Sequence, residues 1–276
     1  MNLFNLKNCI IIICICKYII GFSQTHLVIE GGYGFPWAVN DFPDGNITFF
    51  DDGSKEVGVY KISLGSGMNY SLSINHERNN SLGFSCQLSF LKGRINEKVI
   101  NISGHSNASE QHRGNMLWIA PQVRIKASKV KKFTPYLEIG PTFGLLCQII
   151  VRERASNSSG FSETKKLYNG GVSYGASSAI GSTYQILKDS KWKLNFEVGM
   201  TSASYGPKRS EVILWEQNGE NTLETLSIRE KYIIYKKKYI ENRNNPPDPN
   251  NPRIDTKKYY PFSSIRLSLG ISYQIR

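Results

Sequence analysis

SSIRLSLGISYQIR, residues 263–276, alternates without a break. Ile265, Leu267, Leu269, Ile271, Tyr273 and Ile275 share one face of an extended chain, and Ser264, Arg266, Ser268, Gly270, Ser272, Gln274 and Arg276 share the other. Successive side chains of a strand point to opposite sides, so the stretch reads as a strand with one apolar and one polar face. The apolar face is too regular for a loop, and the run is longer than the roughly five or six residues of an average soluble strand.

The same period recurs in seven earlier segments. Leu27, Ile29, Gly31, Tyr33 and Phe35 oppose Val28, Glu30, Gly32 and Gly34. In the second segment Ile62, Leu64, Met68, Tyr70, Leu72 and Ile74 oppose Lys61, Ser63, Gly65 and the polar residues after them. Residues 82–90 follow, with Cys86 on the apolar face, then residues 117–126, with Arg124 and Lys126 on the polar one. The fifth segment, FTPYLEIGPTFG at residues 133–144, carries Glu138 on its polar face. Residues 172–186 alternate more weakly, and residues 192–201 place Lys193 and Glu197 opposite Trp192, Leu194 and Phe196. The connections alternate as well. Short ones fall at 75–80, 127–132 and 187–190; long ones fall at about 36–59, 92–114, 152–166 and 206–258.

A soluble sandwich also alternates, but three features favour a membrane. The periodic runs reach 11–13 residues, where a tilted membrane strand needs about 9–11. The polar faces are Ser, Gly, Thr, Asn and Gln with isolated charges, which suits a crowded lumen better than open water. Aromatics gather at segment ends: Tyr70, Phe133, Tyr184, Trp192 and Tyr273 are assigned to the short-turn side, Phe35, Phe90 and Phe143 to the long-loop side, as two interfacial girdles. In hydrocarbon a sheet satisfies its backbone only by closing on itself. The expectation is an all-β, closed, antiparallel, up-and-down transmembrane β-barrel of eight strands, ten being the alternative, with the eighth strand paired to the first.

Bulk properties agree. The chain has 276 residues, 40% hydrophobic, with 15 Tyr and 24 Gly, and its mean hydropathy is negative, which excludes a bundle of transmembrane helices. The one continuously apolar stretch lies near the start, after Lys7, and leads to small residues at Gly21 and Ser23. It reads as a signal peptide over residues 1–23, leaving 24–276 as the barrel with its long extracellular loops. Its removal would take Lys7 and Lys17 from a net charge of +12 and leave Cys86 and Cys147 as the only cysteines. Two cysteines do not make a structural zinc site; no metal constellation, cofactor-binding loop or nucleic-acid module is present. Parity turns both cysteines outward on non-adjacent strands, where a disulfide is sterically excluded.

Signal peptide, eight segments, long loops and a terminal amphipathic strand resemble the small outer-membrane β-barrel family, the OmpA-like and OmpW-like transmembrane barrels. PYLEIGPTFG, residues 135–144, and LSLGISYQIR, residues 267–276, are similar to stretches in Bacteroidetes-type members. The likeness is one of pattern over most of residues 25–276. It departs at the end, Ile275-Arg276, where such chains usually carry an aromatic residue read by the barrel-assembly machinery; Tyr273 is the nearest substitute. The resemblance implies an integral outer-membrane location and no catalytic residues.

Parity sends Glu30, Glu138, Glu197, Arg124, Lys193 and Arg266 into the lumen, with Lys61 and Lys126. Eight strands leave an interior that side chains just fill, so these charges are expected to pair in a polar network, with Glu138 between Arg124 and Lys193 or Arg266. In the last loop Asn218-Gly219 marks a hairpin of strands 211–217 and 222–228, and residues 243–253, rich in Pro and Asn, read as a linker. Lys236, Lys237 and Lys238, flanked by Tyr235 and Tyr239, are a candidate anion-binding loop for lipopolysaccharide phosphates or a surface protein. The function expected is non-enzymatic: a structural or surface-interaction barrel contacting outer-membrane lipid, surface glycan or protein. Two alternatives stand beside it. One is a lipid-modifying enzyme, whose histidines would be His26 at the start of the first strand, His76 in a turn, and His105 and His112 in a long loop. The other is a narrow channel or transporter of small apolar molecules, resting on the weakly apolar sixth segment with Ser178 and Ala179.

Overall fold

A computed structural model of the chain describes residues 24–37, 46–49, 55–58, 62–102, 106–157, 160–187, 190–239 and 248–275. The expected signal peptide, Lys61 and His105 lie outside them. Eight strands form the barrel: β1 (Gln24–Pro36), β2 (Gly67–Glu77), β3 (Leu82–Gly93), β4 (Ser106–Lys126), β5 (Phe133–Asn157), β6 (Val172–Gln185), β7 (Trp192–Gly206) and β8 (Ser264–Gln274). Each pairs antiparallel with the next. β8 closes the ring on β1, from His26↔Gln274 to Pro36↔Ser264 (for β1 and β2, the register runs from Gln24↔Glu77 to Gly34↔Gly67). A ten-stranded ring does not form, because β7 and β8 bond directly from Trp192↔Tyr273 to Thr201↔Ser264.

The register fixes the barrel's shape. Stepping across paired residues from Gln24 through Glu77, Gly83, Arg124, Glu138, Ala179, Gly199 and Arg266 returns to Gly34, ten residues further along β1. With strands about 4.8 Å apart and a rise of about 3.3 Å per residue, that stagger gives a tilt of about 40° and a backbone radius of about 8 Å. At this tilt the ten residue steps from Ile265 to Ile275 climb about 25 Å along the axis, the height of an outer-membrane apolar band.

Alternation decides which way each side chain points. In β2, Met68, Tyr70, Leu72 and Ile74 are exposed while Asn69, Ser71, Ser73 and Asn75 are buried. The same division runs through β1, β3, β6, β7 and β8. Aromatic pairs mark the short-turn end, Phe133 with Tyr184 (4.9 Å) and Trp192 with Tyr273 (4.8 Å). Tyr70 does not belong with them. β2 descends from Gly67, so Tyr70 stands near the long-loop end, opposite Phe90.

Much of what the sequence gives as long loops is strand. β4 and β5 run 21 and 25 residues, far beyond the apolar band. They continue into a sheet with Asn96–Ile102, Gly160–Asn169, Arg209–Gln217 and Tyr232–Lys236. Asn218 and Gly219 turn with positive φ, but the returning strand is only Glu220–Asn221. Residues 222–228 are not a strand: a 3₁₀ turn, Leu223–Thr225, leads to a short helix, α1 (Ile228–Lys231). Ser227 caps that helix, its hydroxyl accepting from the Glu230 amide while the Glu230 carboxylate accepts from the Ser227 amide; this capping box stops the strand.

Two findings reverse sequence expectations inside the barrel. Pairing between β4 and β5 slips at Leu117/Trp118, so that Leu117 faces Leu146 and Trp118 faces Gly144. Leu145 is the extra residue of a β-bulge, and beyond it every side chain changes face. Cys147 therefore points inward and is buried, not outward, while Cys86 is exposed; neither forms a disulfide. Ile62 and Leu64 also fail to face outward, because β2 begins only at Gly67. Residues 62–66 fold back into the barrel mouth beside residues 260–263, with the Leu64 amide donating to the Pro261 carbonyl (2.9 Å). Leu64 and Phe262 anchor an apolar cluster with Leu91, Met116, Trp118, Cys147, Ile149, Tyr205 and Tyr260.

Candidate functional site: the barrel lumen

All six lumen residues named from parity lie on the inner wall. Glu30, Glu138, Glu197, Arg124 and Arg266 are buried and Lys193 is half-buried. At mid-height they form two ion pairs. Arg124 Nη1 lies 3.1 Å from Glu138 Oε1, across the β4–β5 register pair that the alternation itself sets. Arg266 Nη2 bonds Glu197 Oε1 from β8 to β7. Among the described residues Glu138 thus forms its ion pair with Arg124, and Arg266 takes Glu197. Tyr136 joins the pairs: its hydroxyl donates to Glu197 Oε2 (3.2 Å) and the Arg124 guanidinium stacks 3.7 Å above its ring. Glu30 accepts from the Ser71 hydroxyl (3.3 Å).

Glycines make room for these groups. A Cβ on Gly181 would come within 2.4 Å of the Tyr136 ring, and one on Gly270 within 2.3 Å of Glu30 Cγ. Inward glycine on one strand lets a large side chain from another cross the axis.

Lys193 sits a tier lower and outside both pairs. With His26, Asn75, Glu77 and Arg124 it lines a space of about 10 Å³, enough for about one water. Glu77 there accepts from Lys126 (2.6 Å) and faces His26 (3.5 Å). Above the ion pairs Gln122 donates to Ser177 (3.0 Å), and above these the apolar cluster closes the mouth. From bottom to top the section is charged, then polar, then apolar.

Tyr136, Glu77, Gln122 and Ser177 had no part in the network expected from the alternation. Tyr136 was visible as the one aromatic among the inward residues of the fifth segment. Glu77 was hidden because β2 runs three residues past the last apolar position, Ile74. His76 and His112 are strand residues and not loop residues; His112 is buried on β4, 3.2 Å from Glu110, and Thr25 Oγ1 lies 3.3 Å from His76 Nδ1 on the outer wall.

Lys236, at the end of its strand in the upper sheet, and Lys237 and Lys238 in the bend that follows are exposed. Tyr235 turns away from them, stacked on Tyr168 (6.1 Å between centroids) and sharing a hydrogen bond with Ser210 (3.0 Å), so its ring is not offered to the lysines. In the same sheet Arg152 and Arg154 clasp the buried Glu163 at 2.6 and 2.9 Å. Burial alone would raise the Glu163 carboxyl, but the two guanidinium hydrogen bonds outweigh it and hold it below the usual carboxylate range.

No family model matches the chain, and no curated protein matches it by sequence. Among solved structures it is similar to Neisserial surface protein A (NspA), at 10% identity and a TM-score of 0.40, over 92% of this chain and 100% of that one. That is a likeness of form, and no residue role is carried across from it.

Proposed function

We propose that the chain is an integral outer-membrane β-barrel with a structural or surface-interaction role and no catalytic activity. One observation carries the reading. Every strand of a closed ring presents a bare apolar side chain at mid-height: Ile29, Leu72, Leu88, Val123, Ile139, Ile180, Val198 and Leu269 are each more than a third exposed. Such a continuous belt is far larger than the apolar patches of water-soluble monomers, and acyl chains are the surroundings that suit it.

On this reading the two ion pairs and the apolar cap plug the lumen, and the upper sheet is the surface offered to glycan, lipid or protein. The signal peptide, the OmpA-like or OmpW-like affinity, insertion by the barrel-assembly machinery and an anion-binding role for Lys236–Lys238 belong to the same proposal. The test is solubility of the folded state. The folded chain should need detergent or bilayer and resist protease across β1–β8 once inserted in vesicles. A monodisperse folded monomer in plain buffer would overturn the reading in favour of a secreted barrel.

A further inference from the structure

The geometry points to a phosphate-binding cup at the short-turn mouth of the barrel, suited to a multiply charged phosphate group, either a soluble one or that of a lipid headgroup. The mouth holds a cavity of about 380 Å³ lined by Lys126, Lys129, Lys132, Lys193, Glu77 and Gln185 among others. Among the described residues only one of those lysines is neutralised by a carboxylate: Lys126 on Glu77 at 2.6 Å. Lys129 donates to the neutral amide oxygen of Gln185 (2.6 Å) and Lys132 to the Ile186 carbonyl (3.4 Å). The Lys193 ammonium makes no hydrogen bond or ion pair among the described residues. Arg124 and His26 lie just inside, and Arg78, Lys131 and Lys191 stand exposed on the surrounding turns.

Three ammonium groups thus converge on one concavity with no described carboxylate to balance them. Like charges gathered this way repel one another, and low-dielectric walls concentrate their field on whatever anion enters. The neutral acceptors hold Lys129 and Lys132 in place, which lowers the ordering cost of binding. Lysine is a compact point charge with rotatable donors, fit for phosphate oxygens without the planar geometry that arginine imposes. A backbone radius of about 8 Å admits a phosphate group and excludes a folded protein or a nucleic-acid duplex.

Isothermal titration of inorganic pyrophosphate into the protein refolded in maltoside micelles tests the cup. Saturable binding that weakens as salt rises is expected. Lys129→Gln, Lys132→Gln and Lys193→Gln should each weaken it about fivefold, the effect of one unit charge at contact distance in water, and the triple variant should abolish it. Lys208→Gln, beyond the other end of the barrel, should bind as the parent does. A heat-modifiable gel band verifies that each variant is folded. No saturable heat from the folded parent, or undiminished binding by the folded triple variant, would overturn the cup. Repeating the titration in phosphatidylcholine vesicles with and without phosphatidylglycerol separates the sources. Loss of pyrophosphate binding only with phosphatidylglycerol identifies a lipid headgroup as occupant; binding in both identifies a soluble anion.

Discussion

Replacing Arg266 by Met strands a carboxylate in the middle of the barrel. The Glu197 side chain is 3% exposed and Arg266 8%, so water cannot take the place of the guanidinium, and only the Tyr136 hydroxyl remains to Glu197. Breaking a buried pair from one side typically costs about 3–5 kcal/mol. Arg266→Met should therefore destabilise by an amount in that range. Glu197→Leu should cost at least as much, because a guanidinium cannot shed its charge. The double variant, with both charges gone and similar volume kept, should return to within about 1 kcal/mol of the parent. The exposed pair Arg253–Asp255, 55% and 31% exposed, supplies the scale, since such pairs are worth about 0–1 kcal/mol. Urea-driven unfolding and refolding in vesicles, followed by tryptophan fluorescence, reads all four. If Arg266→Met costs no more than Arg253→Ala, the pairs do not hold the lumen together and the reasoning fails.

Other features of the barrel have measurable outcomes of their own. A membrane-permeant maleimide should label Cys86 in the inserted protein and spare Cys147, read by mass spectrometry of the two single-cysteine variants; equal labelling would contradict the bulge at Leu145. Gly181→Ala should destabilise by about 1–3 kcal/mol, because the new methyl lies where the Tyr136 ring packs, whereas Gly31→Ala, with open space around it, should stay within about 0.5 kcal/mol. The clasp on Glu163 lowers its folded-state affinity for protons, so its contribution is present above the ordinary carboxyl range and lost as pH falls through the lowered folded value. The protection of the Gly160–Asn169 amides, relative to their intrinsic exchange at each pH, should therefore fall in acid, and Glu163→Gln should remove that fall. In planar bilayers the parent should show no steady open conductance; a stable pore would mean that the charged and apolar tiers do not seal the lumen.

The barrel was legible because each strand turns an apolar face outward and a polar face into the lumen, and alternation is then forced at every position. The inward placement of Glu138 and Arg124 followed from counting alone. Counting failed where a face changes with no local cue. Residues 144–151, GLLCQIIV, are apolar on both sides, so nothing in them shows that Leu145 is extra; the slip appears only in the pairing with Leu117 and Trp118. Ile62 and Leu64 carried the right period for the wrong reason, since an apolar mouth selects the same residue types as a bilayer. The upper sheet escaped notice because its strands lack the one-sided apolar alternation of the barrel wall. The Arg124–Glu138 pair was within reach of the sequence, because the two residues face each other across a short turn, but that Arg266 takes Glu197 and Lys193 stays outside both pairs depends on pairings that no single strand reveals.

The seam between β1 and β8 carries a consequence for how the molecule comes into being. His26 bonds across to Gln274, so one of the first described residues waits for one of the last. Contacts so remote in sequence are slow to form, and until they do, β1 keeps a bare hydrogen-bonding edge that any extended chain nearby can occupy. Residues 207–263 lie in the chain between β7 and β8, which are neighbours in the finished wall, so the ring can shut only after that whole segment has been made. Maturation is therefore gated by its final step, and a chain stalled there would be the species most prone to mispairing with another copy of itself.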